Sequence, residues 1–405
     1  MEKHIIPPKF SAVLQNRSFM FLWAAQMFSQ LADRIYIYVL VLIAYKLTHT
    51  NLGVSVPMLS FGIPSVLFAS FAGVYVDRWN KKYAMFFSCL FRAVLIFAIV
   101  FLLESSLLWI FLVSLGVYTI AQFFAPAEAS SLAEIVEREN LILANSLFMT
   151  TWMWTSVAAF GFGAVLVGFF GNERTLMISS VLYLMASVAV LLISLKYSNS
   201  KTESSVKTVK QDLLKGFEFI RRKSIIRYSL FKMFMITSAL AVISMLAIQF
   251  AEQYIGIGAQ NFGYLVILAG AGMLFGMWAL GKLSHYFRKS HIVFAGFFMT
   301  GSCLILLSQT RNLYLALLYC FILGFGNILI NATVQTVIAH NTPRSLRGRV
   351  FGIQNMIINF AFTVPVVAFG VVADYFGLDT SILLLGVILF VPALMVLIDP
   401  ESRSA

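Results

Sequence analysis

The chain alternates long apolar runs with short polar gaps. A helix rises about 1.5 Å per residue, so crossing about 30 Å of hydrocarbon takes about 20 residues. Twelve runs of that size follow one another, at 18–45, 51–76, 83–103, 107–128, 141–170, 175–195, 225–252, 261–284, 291–309, 312–339, 350–376 and 379–398. Glycines 161, 163 and 168 punctuate the fifth run, Pro57 and Pro64 the second, and Pro365 the eleventh. Membrane helices tolerate such breakers where neighbours satisfy the freed backbone. The first run is too long for a signal-peptide core and reads as a retained helix. The pattern predicts an all-α integral membrane protein with twelve transmembrane helices.

Composition agrees and removes alternatives. Of 405 residues, 60% are hydrophobic and 11% are charged. A soluble globular chain carries about 25% charged residues. A water-soluble enzyme, a disordered chain and a fibrous repeat are therefore excluded. The net charge is +12, but the basic residues sit in the gaps, which points to membrane orientation rather than to nucleic acid. Cys89, Cys303 and Cys320 lie inside apolar runs. An odd, buried set offers neither a disulfide framework nor metal-ligand spacing.

Placing the N-terminus in the cytoplasm puts 23 of the 29 Lys and Arg residues on the cytoplasmic side. The other side then holds Lys46, Arg174 and Arg311. An odd number of spans would spoil this alternation, so both termini are expected in the cytoplasm of a cell (plasma or inner) membrane protein. The chain also repeats. Gly73–Lys82 follows the second run and Gly281–Lys289 the eighth, an offset of 208. Six spans per half is an even number, so the halves are expected to be parallel pseudo-repeats. The predicted domains are a six-helix bundle over 1–195, a linker over 196–224 and a second bundle over 225–405. Within the linker, Leu213, Leu214, Phe217 and Ile220 share a helical face flanked by lysines and arginines. That pattern resembles an interfacial helix on anionic membrane lipid.

Gly73-Val-Tyr-Val-Asp77-Arg78-Trp-Asn-Lys81-Lys82 resembles the loop signature of the major facilitator superfamily. Three more local patterns are similar to its drug-efflux branch, which includes macrolide, siderophore and lysophospholipid transporters. They are Gln26-x-x-Ser29-x-x-x-Asp33, Phe123-Phe-Ala-Pro126-Ala with Leu141-x-x-Ala144-Asn145-Ser146, and Leu346-Arg-Gly-Arg-Val350. The resemblance implies the major facilitator fold and a central cavity lined by spans 1, 4, 7 and 10; the sequence carries no cofactor motif, and no cofactor is expected. The loop has its own physics. Gly73 would let the second span approach a neighbour closely. Asp77, beside Arg78, could accept bonds from the N-terminal amides of the eleventh span. Such a contact forms or breaks as the cytoplasmic side closes or opens, which makes it a candidate conformational latch. The basic residues could equally serve topology alone.

Ionisable groups cost about 2.5–3.5 kcal/mol each at the centre of a membrane helix, so they default to function or pairing. Asp33 and Arg34 lie in the first span. Gln26, Gln30 and Arg34 are spaced i, i+4 and i+8, and Asp33 joins their side. Asn327, Asn331 and Gln335 form a second stripe in the tenth span. Tyr118 and Gln122 in the fourth and Gln249 in the seventh complete the expected substrate cavity. An uncharged, amide-rich wall suits an amphipathic solute. The same amides could instead bond packed helices to one another. Arg92 is mid-way along the third span, and a structural ion pair with Glu128 is the expected arrangement.

Two departures from the family pattern stand out. The fourth span reads Val117-Tyr-Thr-Ile-Ala-Gln122 without the Arg of many proton-coupled exporters, and the fifth lacks the Gly-Pro of antiporters. The sequence carries no His-Glu-x-x-His, Gly-x-Ser-x-Gly, Cys-x-x-Cys or nucleotide-binding loop. A membrane enzyme or receptor is therefore disfavoured. The reading is a monomeric secondary transporter that exports an amphipathic small molecule such as a drug, macrolide or siderophore. Proton antiport would run through Asp33, tuned by Arg34. A lysophospholipid flippase or an uptake facilitator of the same fold is the alternative. No metal is expected.

Overall fold

The apolar runs fold as helices because hydrocarbon offers no partner to a free backbone N–H or C=O, and a helix satisfies both internally. The computed structural model describes residues 10–76, 79–102, 106–137, 139–194, 206–343 and 346–398. Every regular element among them is helical. In chain order they are α1 (Phe10–Gln15), α2 (Arg17–Thr48), α3 (Asn51–Val76), α4 (Lys81–Val100), α5 (Leu107–Ile135), α6 (Leu141–Leu191), α7 (Val206–Arg222) and α8 (Ser224–Gln249). They continue with α9 (Gly263–Tyr286), α10 (Lys289–Ser308), α11 (Leu313–Asn341), α12 (Arg347–Ala361), α13 (Val364–Phe376), α14 (Leu378–Ile388) and α15 (Phe390–Ile398). Counting α12 with α13 and α14 with α15 as single segments, eleven helical segments among the described residues are long and apolar enough to cross a membrane.

Local chemistry sets the boundaries. Asn80 caps α4 by accepting from Lys82 N and Tyr83 N, and Asn312 caps α11 through Tyr314 N and Leu315 N. Proline acts where its missing N–H is free of cost: Pro365 opens α13, after the eleventh run breaks at Phe362–Thr363. Pro57 and Pro64 leave α3 continuous. The long α6 is not one rod. Gly171 holds φ 75 and ψ 176 inside it, a backbone conformation that L side chains avoid, and the chain changes direction there.

Packing divides the chain into two compact units. The first comprises 1–40 with 63–206, and the second 41–62 with 207–405. The last eight residues of α2 (41–48) and the first twelve of α3 (51–62) thus belong to the second unit. In the first unit, small hydroxyls stitch helices together. Ser179 Oγ donates to Ala32 O at 2.8 Å, Ser180 Oγ to Ala93 O at 2.8 Å, and Ser88 Oγ to Ile120 O at 3.1 Å. α4 shows both faces plainly. Met85, Ser88, Cys89, Arg92, Ala93, Ile96 and Ile99 are buried, while Phe87, Phe91, Val94, Phe97 and Phe101 are exposed. A row of exposed phenylalanines fits lipid as its solvent and not water.

In the second unit, α9 and α11 cross at backbone contact. A Cβ placed on Gly272 would sit 1.9 Å from Phe321 O, and one on Gly324 1.8 Å from Ala269 O. This is the close approach that small residues permit in membranes. It is also expected at Gly73, where a Cβ meets nothing within 4 Å among the described residues. α7 is helical as its pattern predicts. Ile220 is buried, Leu214 and Phe217 are exposed, and Gly216 lies against Arg349 and Ile353 of α12.

Candidate functional site

A cluster of ionisable groups lies inside the first unit. Asp33 comes from α2, Arg92 from α4 and Tyr183 from the second half of α6. Arg92 Nη1 stands 3.5 Å from Asp33 Oδ2 and donates to Tyr183 Oη at 3.1 Å. The Tyr183 hydroxyl donates to Asp33 Oδ1 in turn. Arg92 Nε donates to Ser88 O at 3.1 Å, and Nη2 faces Cys89 Sγ at 3.7 Å. The guanidinium carbon lies 4.4 Å from the Tyr183 ring centroid and 5.2 Å from that of Phe124. The cation is thus held by a carboxylate, two aromatic faces and backbone, as a charge in a membrane helix must be.

The two members of the pair differ in access. The Arg92 side chain is 2% exposed and that of Asp33 is 32% exposed. The carboxylate is thus partly open to its surroundings while the guanidinium is sealed. This corrects the expected Arg92–Glu128 pair. α4 packs against both α5 and α6, and within that packing the Arg92 guanidinium reaches Asp33 and Tyr183. Glu128 keeps a buried Oε1 with no hydrogen-bond partner among the described residues.

Aromatic hydroxyls extend the cluster. Tyr36 Oη and Ser114 Oγ share a hydrogen bond of 2.9 Å, and the Tyr36 and Tyr118 rings lie 6.1 Å apart. Arg34 is within electrostatic reach of Asp33, Tyr118 and Tyr183. Of the α2 stripe, Gln30 accepts from Thr155 Oγ1 at 2.9 Å. Gln26 is buried, and its Oε1 lacks a partner among the described residues. Gln122 Nε2 donates to Tyr118 O at 3.1 Å.

The second unit holds the rest. Asn331 Nδ2 donates to Asn327 Oδ1 at 2.9 Å, and Gln335 is exposed one turn further on. Gln249 accepts from Asn51 Nδ2 at 2.5 Å and donates to Gln253 at 3.1 Å. Asn51 belongs to a cap with no counterpart in the sequence reading. Asp374 Oδ1 accepts from Asn51 N at 2.7 Å and from Asn51 Nδ2 at 3.0 Å, while Oδ2 accepts from Leu52 N at 2.9 Å. Gly370, one turn before Asp374, lets the Asn51–Leu52 backbone lie against α13, since a Cβ there would meet Asn51 O at 3.3 Å. Asp77 and Arg78 of the expected latch lie outside the described residues.

Two further buried groups stand out, Tyr183 and Lys232. Tyr183 gave no signal, being one tyrosine in an apolar run. Lys232, buried in α8, did give one: it is a lysine inside a span. Among the described residues no three His, Cys, Asp or Glu side chains are grouped to hold a metal ion.

Comparison with known proteins places this geometry. The profile of the Major Facilitator Superfamily matches residues 22–365. The chain is 23% identical over 400 residues to the uncharacterized MFS-type transporter YfiS of Bacillus subtilis (strain 168), covering 96% of this chain and 95% of that one. It is 22% identical over 366 residues to the multidrug efflux pump Tap of Mycolicibacterium fortuitum, covering 87% and 88%. Among solved structures, a mutant form of the nucleoside transporter NupG superposes with a TM-score of 0.77 at 13% identity, covering 94% of this chain and 99% of that one.

Proposed function

The chain belongs to the Major Facilitator Superfamily and is a multi-pass secondary transporter of small molecules, not an enzyme, and from that premise we propose that it exports an amphipathic compound in exchange for protons. The observation that carries this reading is the Asp33–Arg92–Tyr183 cluster: a partly accessible carboxylate held by a sealed cation. The likeness to a multidrug efflux pump supports the direction.

The spans are read as twelve, because Gly171 divides α6 into two membrane-crossing segments. Two parallel six-helix repeats follow, with both termini on the cytoplasmic face where the Lys and Arg residues gather. With Asp33 ionised, Arg92 and Tyr183 bind it and tie α2 to α4 and α6. A proton on Asp33 cancels the charge, weakens its bond to Arg92 and frees α2 to shift. Substrate and proton would then favour opposite conformations, which is the requirement for exchange. Gln26, Gln30, Tyr118, Gln122, Asn327, Asn331 and Gln335 supply polar contacts along the path. Gln249, engaged by Asn51, is assigned instead to fastening the end of α8. Asp77 and Arg78 remain the proposed cytoplasmic latch.

The test is transport in energised inverted vesicles with macrolides, dyes, siderophores and lysophospholipids, comparing wild type with Asp33→Asn. Proton-dependent accumulation that the substitution abolishes, in protein still folded and inserted, supports antiport. Accumulation that survives both the substitution and a collapsed gradient discards it in favour of facilitated diffusion or lipid flipping.

A further inference from the structure

Arg92 goes to Asp33, so Glu128 needs an account of its own. Glu128 stands one helical turn after Phe124 on α5, and the Phe124 ring lies 5.2 Å from the Arg92 guanidinium carbon. Residues four apart share a helix face, so Glu128 is turned toward α4. The charge of Arg92 is felt at Glu128, and that of Glu128 at Cys89. Arg92 and Cys89 are the ionisable groups of α4 that bear on it. Glu128 Oε1 is buried and has no hydrogen-bond donor among the described residues. The donors of Arg92 are directed elsewhere, to Ser88, Asp33, Tyr183 and Cys89. One oxygen of this partly exposed side chain is thus sealed without a donor, and a negative charge left there unpaired is costlier than the neutral acid.

We propose that Glu128 is a second proton-binding site that shares the Arg92 cation with Asp33. In the conformation seen here Asp33 is the anion that pairs with Arg92, and Glu128 holds the proton. When Asp33 accepts a proton, Arg92 is released. Glu128 then gives up its own proton to water and takes Arg92 as counter-ion. One cation and one anion are present before and after, so the exchange keeps the buried charge balanced. Around Asp33 the other charged or titratable groups among the described residues are Arg34, Tyr36, Cys89, Tyr118 and Tyr183. Tyr183, bonded to both Asp33 and Arg92, holds the pair during the handover. The proposal rests on Asp33 as the coupling carboxylate.

The experiment is infrared difference spectroscopy of the full chain in liposomes across a pH series, alongside transport driven by a pH gradient. Wild type is expected to show the C=O band of a protonated, buried carboxyl group. Glu128→Gln should lose that band together with gradient-driven accumulation. Glu128→Asp, which keeps the acid, should restore part of both, and this arm holds if the Gln variant does not fold. Asp33→Asn should also lose the band, because Arg92 then passes to Glu128 and ionises it. A band that persists unchanged in Glu128→Gln, or at wild-type strength in Asp33→Asn, overturns the shared cation. Spectra that behave as expected in a protein whose transport ignores the pH gradient sustain the Glu128 site and sink the antiport reading.

Discussion

Asp33 and Asp374 are both carboxylates that join helices distant in sequence, and their partners differ in kind. Asp33 is satisfied by a cation and a phenol, each of which can let go when the charge is cancelled. Asp374 is satisfied by two backbone amides at the start of α3 and by the Asn51 side chain. Those donors are fixed by the fold and complement a helix N-terminus, which favours an anion whatever the transport step. Asp374 is also exposed, whereas the cation that Asp33 holds is sealed. A carboxylate paired with a buried cation carries a charge balance that a proton can tip. A carboxylate that caps a helix is a fastener.

That contrast can be broken by substitution, beginning with the largest expected effect. Removing both Asp33 and Glu128 as Asp33→Asn, Glu128→Gln leaves Arg92 buried without a counter-ion. Breaking a buried pair in this way costs about 3–5 kcal/mol. Thermal unfolding in detergent should show a loss well beyond the sum of the single variants, and simple additivity would mean the carboxylates do not share the cation. Arg92→Leu should cost less, about 3 kcal/mol at the low end of the same range, because Asp33 is partly exposed and keeps Tyr183. Its proton-driven transport should vanish.

Asp374→Asn comes next, at about 1–2 kcal/mol, the scale of a charge-assisted hydrogen bond. The number of protons moved per substrate, measured in proteoliposomes, should stay as in wild type. A changed ratio would make Asp374 part of the coupling machinery and end the contrast. The smallest effect belongs to Tyr183→Phe, which keeps the ring over Arg92 and loses the hydroxyl. About 1 kcal/mol is expected, with the pH profile of transport displaced rather than abolished.

The helices were legible because hydrocarbon thickness imposes a length that shows as apolar runs. The second run, 51–76, matches α3 to the residue, and Pro365 marks the break before α13. Asp33 was legible as a candidate because a carboxylate inside a span is rare for an energetic reason. Its partner was not. Arg92 lies 59 residues away and Tyr183 lies 150 away, and which of two carboxylates faces a given arginine depends on helix rotation, which an all-round apolar span does not encode. Close-approach glycines were hidden for the same reason: Gly272 and Gly324 sit in plain apolar runs at a backbone crossing, with no motif to mark them. The Asp374 cap joins residues 323 apart, and no local pattern announces it.

The central claim is that the Asp33 carboxylate couples the proton to substrate movement. The most direct measurement compares two assays on Asp33→Asn in proteoliposomes, substrate counterflow without a gradient and net accumulation driven by a pH gradient. Counterflow near the wild-type rate with no gradient-driven accumulation is the predicted result, since the path survives and the coupling does not. Accumulation against the substrate gradient at the wild-type level would contradict it and place the proton elsewhere.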